Sequence, residues 1–252
     1  MKLLILCFAA LLTFMPSLGK GQSFPRGFYV DFATCTEFAG VGPVDLARAS
    51  ALVPHPFTTL TVGSTGGFVV RATSCRELSV NGGRKVPTNI SQIGIEIVPP
   101  DGTGDINNFT LLYVSDNLEL VLAFQCAGVP ALYDPTLTYQ FIYDSTGKAG
   151  ELYVEVASTG LPAYFLTGTE IDPTAPGSEF KANWWYASPH LVVKQASNFP
   201  DIAFGVPSVS FHTDRNSELG KLIGGNTDSD FHLFPVRGVY PSAHMEVSVS
   251  SK

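Results

Sequence analysis

Leu137-Thr138-Tyr139-Gln140-Phe141-Ile142-Tyr143, followed by Asp144-Ser145-Thr146-Gly147 and then Glu151 to Ala157, is the stretch that decides the fold class. Two runs rich in β-branched and aromatic residues flank a four-residue polar turn ending in Gly147, which is the pattern of a β-hairpin. Working outward, Ile93, Ile95 and Ile97 alternate with Gly94 and Glu96, a half-buried strand stopped by Pro99-Pro100. Gly66-Gly67 opens an apolar strand over Phe68 to Ala72, and Asp101-Gly102-Thr103-Gly104 leads into another over Phe109 to Val114. Further strands are expected near Ala163–Leu166, Leu191–Gln195, Val209–His212 and Met245–Val249, with Asp172 to Ser178 as a loop. Two short helices interrupt this pattern. One covers Val44 to Leu52 between Pro43 and Pro54. The other starts at Asp116 as N-cap, with Glu119 completing a capping box, and ends at Gly128 and Pro130. Gly and Pro separate many of the strands, so the reading is all-β with a few short helices, a sandwich or a closed barrel.

The N-terminus bounds the compartment. Lys2 precedes an apolar run from Leu3 to Phe14, too short to span a bilayer, and Pro16 with Ser17, Gly19 and Gly21 completes a cleavable signal peptide over residues 1–21. Residues 22–252 then form one β domain, secreted and extracellular. A net charge of −7 argues against nucleic acid or an anionic membrane as partner, since both would repel it. Cys7 leaves with the signal peptide, so one disulfide is expected among Cys35, Cys75 and Cys126, with the third as a buried thiol. Asn89-Ile90-Ser91 and Asn108-Phe109-Thr110 are glycosylation sequons placed in surface turns.

Candidate site residues are few. Asn183-Trp184-Trp185-Tyr186 holds both tryptophans, and alternation along a strand sends one ring into a cavity or, more plainly, into the core. His190 after Ser188-Pro189 lacks any nucleophile elbow. His212-Thr213-Asp214 and Asp228-Ser229-Asp230-Phe231-His232 place His and Asp at alternate positions without the three or four converging ligands a metal needs. No metal and no cofactor is expected. Arg71 and Glu96 stand in apolar strands and must be paired if they face inward; the isoleucine alternation points Glu96 outward. Lys194, the lysine in a clearly apolar strand, is read as an outward, solvated amine rather than a desolvated nucleophile.

Phe24-Pro25-Arg26-Gly27 with Tyr29, the helical Val44 to Pro54, the passage from Asn108 to Asp116 into a helix, and Trp184 through Pro200 together resemble acetoacetate decarboxylase and its superfamily. The resemblance covers most of residues 24–212 and implies a closed or nearly closed, mostly antiparallel β-barrel with an internal cavity. Members form a Schiff base through a lysine after the central segment, with acidic residues nearby. Here the matched stretch, Gly128-Val129-Pro130-Ala131-Leu132-Tyr133, holds no lysine, and Thr88 to Gln92 holds no acid. Lys85, Lys148, Lys181, Lys194, Lys221 and Lys252 all fall elsewhere. Without the amine there is no electron sink for decarboxylation.

The expectation is therefore a secreted β-barrel that binds a small organic molecule, keto, acyl or aromatic, in an internal cavity. Trp184, Trp185 and Tyr186 would form its wall, and Arg71 or Arg76 would meet a carboxylate. An enzyme on the same scaffold, a lyase, hydrolase or isomerase of small keto or polyketide-like compounds, would use Lys194, His190 or His212 as base. A structural protein of the extracellular space would have a filled interior instead.

Overall fold

The computed structural model describes residues 27–226, 228–231 and 233–252. The expected signal peptide, the opening Phe24-Pro25-Arg26 and His232 lie outside them. In chain order the elements are β1 (Phe28–Asp45), α1 (Leu46–Leu52), β2 (Thr61–Val62), β3 (Thr65–Val80), β4 (Val86–Glu96), β5 (Ile106–Ser115), α2 (Leu118–Cys126) and β6 (Leu132–Tyr133). The second half adds β7 (Thr138–Tyr143), β8 (Ala149–Val156), β9 (Tyr164–Ile171), β10 (Ser178–Ala187), β11 (Leu191–Thr213), α3 (Glu218–Leu222), β12 (Asp228–Asp230) and β13 (Phe234–Ser251).

Seven strands ring round on themselves in the order β10-β5-β4-β3-β1-β13-β11, and β11 returns to β10. The pairs are antiparallel except β5–β10, a parallel seam that makes the sheet mixed. Past Phe204 and Gly205, the far half of β11 leaves the ring and pairs with β9, which continues through β8 to β7. This second layer lies on the outer face of β1, β3 and β4: Phe38, Phe68, Val70 and Ile95 share one core with Leu152, Val154, Leu166 and Phe211. Phe68 and Phe211 meet edge to face at 5.2 Å.

A second core fills one end of the ring. Phe28, Val30, Leu78, Ile90 and Met245 converge there, and α2 closes that end with Leu120, Val121 and Phe124. Phe124 packs at 4.3 Å from Tyr113 and 5.0 Å from Phe28. Each such side chain contributes about 1.5–3 kcal/mol on burial. Thr34, at φ 54°, switches the inward parity of β1 from Phe28, Val30 and Phe32 to Cys35 and Glu37. Cys35 thereby faces Cys75 directly across β1 and β3 and forms the disulfide, with Cα atoms 4.1 Å apart.

Several local expectations need correction. The segment Pro43–Asp45 finishes β1, so α1 starts later than expected, capped by Asp45, which accepts from Arg48 N at 3.0 Å. Asn117, not Asp116, caps α2 by accepting from Leu120 N. Asp116 instead accepts from the backbone N and Nδ2 of Asn89. Cys126 is exposed at the end of α2 rather than buried. No helix among the described residues is long and apolar enough to cross a membrane.

Candidate functional site

The ring's interior carries an apolar core at one end and polar groups beyond it. Across three neighbouring strands the register aligns Glu96 of β4 with Asn108 of β5, and Asn108 with Trp184 of β10. Neighbouring strands stand about 4.8 Å apart, so these three side chains share one row on the inner face. Glycine makes the room. A Cβ on Gly94 would meet Trp184 Cζ3 at 2.7 Å, and one on Gly67 would overlap the Glu96 carboxylate. Two and four residues further along β3 come Val69 and Arg71, which carry the row towards the centre of the ring.

Arg71 Nε lies 2.9 Å from Glu37 Oε2 and donates to Thr73 Oγ1 at 3.1 Å. The Thr73 hydroxyl donates to the same Glu37 oxygen at 2.7 Å, and Tyr240 OH reaches it at 3.5 Å. Burial lowers the Arg71 pKa, but the Glu37 charge beside it outweighs burial and holds the guanidinium above its ordinary range. Burial pushes the phenols of Tyr113 and Tyr240 up, so both stay neutral donors. Glu96 has no counter-ion among the described residues, and burial raises its carboxyl above the usual range.

These groups line a cavity of about 40 Å³, walled by Glu37, Val41, Val69, Arg71, Glu96, Asn108 and Trp184, with Phe180, Phe199, Phe204 and Phe234 around them. At roughly 10–15 Å³ per water centre, that is room for a few waters or a ligand of a handful of non-hydrogen atoms. Three buried polar atoms in the ring interior lack a partner: Asn108 Nδ2, Gln92 Oε1 and Ser197 Oγ. Asn108 lies on the cavity wall itself. Such orphaned atoms cost stability unless something meets them.

The expected site residues separate. Arg71 faces inward, as pairing requires, but Glu37 already neutralises it. Arg76 is exposed and away from the cavity. Of the aromatic trio only Trp184 reaches the cavity. Trp185 faces the opposite core and donates from Nε1 to Asn107 Oδ1 at 2.9 Å, while Tyr186 stacks on Phe109. Lys194 points outward to Asp101 Oδ2 (2.6 Å) and Thr103 Oγ1 (2.8 Å), 5.2 Å over the Trp185 ring. His190 is exposed. His212 is tied to Asp228 and Thr167 and stacks on Phe165, so the three expected bases do not converge. No group of three or more metal-ligating side chains occurs among the described residues. Neither sequon is in a surface turn. Asn89 sits half-buried on β4 with Nδ2 bonded to Asp116, and Asn108 is buried on β5 with Nδ2 enclosed.

Sequence reasoning turned Glu96 outward, and the structure corrects this. The residue does lie opposite Ile93, Ile95 and Ile97, but that opposite face is the ring interior, because β4 is buried on both sides. Glu37 and the role of Asn108 were missed. The available signal was Gly94 between two isoleucines, a gap that a strand leaves where a large ring packs close.

Fold and cavity together define a mostly-β protein with the acetoacetate decarboxylase-like fold. The chain is similar to a solved acetoacetate decarboxylase, at 11% identity and a TM-score of 0.58 over 91% of each chain. It is similar also to the enduracididine biosynthesis enzyme MppR in complex with pyruvate, at 8% identity and a TM-score of 0.60 over 95% of each. An acetoacetate decarboxylase-like enzyme from Sphingomonas wittichii RW1 matches at 12% identity and a TM-score of 0.57, over 95% of this chain and 98% of that one. No family sequence model and no curated protein sequence matches the chain.

Proposed function

We propose that this chain is a secreted, single-domain protein that holds a small organic molecule, with a keto, acyl or aromatic body, inside its ring without Schiff-base chemistry. The observation that carries this reading is the cavity between Glu96, Asn108 and Trp184, where a buried amide donor is left without a partner. Small molecules bind to the fold elsewhere, since MppR is solved in complex with pyruvate. In this chain Ala131, buried among the ring's apolar residues, and the half-buried Leu132 occupy the stretch where the resemblance places a lysine. Lys194 points away from the ring interior. The Cys35–Cys75 disulfide fits maturation in an oxidising compartment.

A second reading rests on Glu96. A carboxyl with a raised pKa facing a cavity is a group suited to proton transfer, so a lyase or isomerase on this scaffold would use Glu96 in place of Lys194, His190 or His212. The two readings share the site and differ in turnover.

The test is borohydride treatment of the protein with a panel of β-keto acids, read by intact and peptide mass spectrometry. No lysine adduct is expected. A reduced adduct on Lys194 or any other lysine would restore Schiff-base enzymology and overturn the proposal.

A further inference from the structure

The charges that line the cavity do not balance. Glu37 and Arg71 neutralise each other at 2.9 Å. Glu96 is a third charged group on the same wall, and among the described residues it has no ion pair. Lys194 is held by Asp101 on the outer side of the ring. An anionic ligand would meet an unscreened carboxylate in a poorly solvated space. A neutral donor bonds Glu96 without balancing its charge. A cation does both.

The rest of the wall points the same way. Trp184, Phe180, Phe199, Phe204 and Phe234 contribute aromatic surface to one small space, and the negative faces of such rings attract alkylated ammonium groups. Asn108 Nδ2 adds a donor without a partner in the same row as Glu96. A carboxylate, an aromatic wall and one amide donor are complementary to a positively charged nitrogen, its alkyl groups, and one oxygen acceptor. Resting on the cavity reading above, we infer that the ligand is a small organic ammonium ion bearing a hydroxyl or carbonyl oxygen, with its charge beside Glu96 and its oxygen at Asn108.

Choline and 3,3-dimethyl-1-butanol test this directly, because they share shape and hydroxyl and differ in charge. Both are titrated by tryptophan fluorescence and by NMR into the wild-type protein, Glu96→Gln and Ala182→Leu, with thermal unfolding as a check on folding. Choline is expected to bind the wild type about tenfold more tightly than its neutral isostere. Glu96→Gln should cut that preference to the part the aromatic wall supplies while retaining the isostere, and Ala182→Leu, which enlarges a side chain lining the cavity, should lose both. Equal binding of the two probes to the wild type would overturn the ammonium inference and leave the cavity reading standing. Binding of neither probe to the folded wild type, or undiminished binding to folded Ala182→Leu, would overturn the assignment of this cavity as the site and the inference with it.

Discussion

Two buried arginines, each held by carboxylates, sit on opposite sides of the same sheet and do different things. Arg71 lies inside the ring with Glu37, and their side chains keep 6% and 11% of their exposure. Arg237 lies between the ring and the β7–β8–β9 layer, where its side chain and that of Glu170 keep 0%. Its Nε donates to Asp172 Oδ1 at 2.7 Å, Nη1 meets Glu170, and the guanidinium covers the Phe141 ring at 3.7 Å. Both clusters have orphaned polar atoms nearby, Asn108 Nδ2 in one and Arg237 Nη2 and Glu170 Oε1 in the other. The chemistry is alike; access separates them. Arg71 borders a cavity that a molecule can occupy, whereas Arg237 fastens two layers together.

That contrast can be broken by substitution. Arg237→Met strands Glu170 in a dry interior and should cost about 3–5 kcal/mol in denaturant unfolding. Arg71→Met should cost less, about 1–3 kcal/mol, because Thr73 and Tyr240 still bond Glu37 and water can reach it through the cavity. Equal losses in the two variants would dissolve the distinction between a fastening pair and a site pair.

The pH dependence sharpens it. Burial pushes the Glu170 carboxyl from 4.5 to about 7, against the opposing pull of Arg237. The folded chain therefore holds that proton more tightly than the unfolded chain, and stability should fall as pH rises from 4.5 through 7. The loss is on the order of 1–3 kcal/mol, and Glu170→Gln should flatten it in unfolding curves taken across that window. A slope unchanged in Glu170→Gln would remove the group from the account. The smallest effect belongs to Glu96. Glu96→Gln removes a half-buried, unpaired charge and should leave stability at pH 7 unchanged or raise it by less than about 1 kcal/mol. A loss of several kcal/mol there would mean that Glu96 has a structural partner.

Much of the fold was legible because the ring and the second layer obey local rules. The hairpin from Leu137 to Ala157 appears as β7 and β8 around Asp144–Gly147, and α2 ends near Gly128 as its glycine signals. The three longest strands were not legible as units. In β1 the switch at Thr34 breaks alternation, and β11 passes from one sheet to another within 23 residues, so no single periodicity describes it. The site was half legible. Arg71 and Trp184 were singled out, yet Glu96 was turned the wrong way, because alternation tells two faces apart without saying which one meets water. On a sheet covered on both sides that inference fails. Asn108 was hidden behind a three-residue sequon read as a surface turn, whereas it lies buried on β5.

Native mass spectrometry of the protein tests the central claim most directly, comparing the wild type with Ala182→Leu and Val236→Phe, which enlarge side chains lining the cavity. The wild type should carry a small molecule released on denaturation, and a folded cavity-filled variant should emerge without it. A wild type of bare protein mass, or a folded filled variant that retains the same molecule, would contradict it.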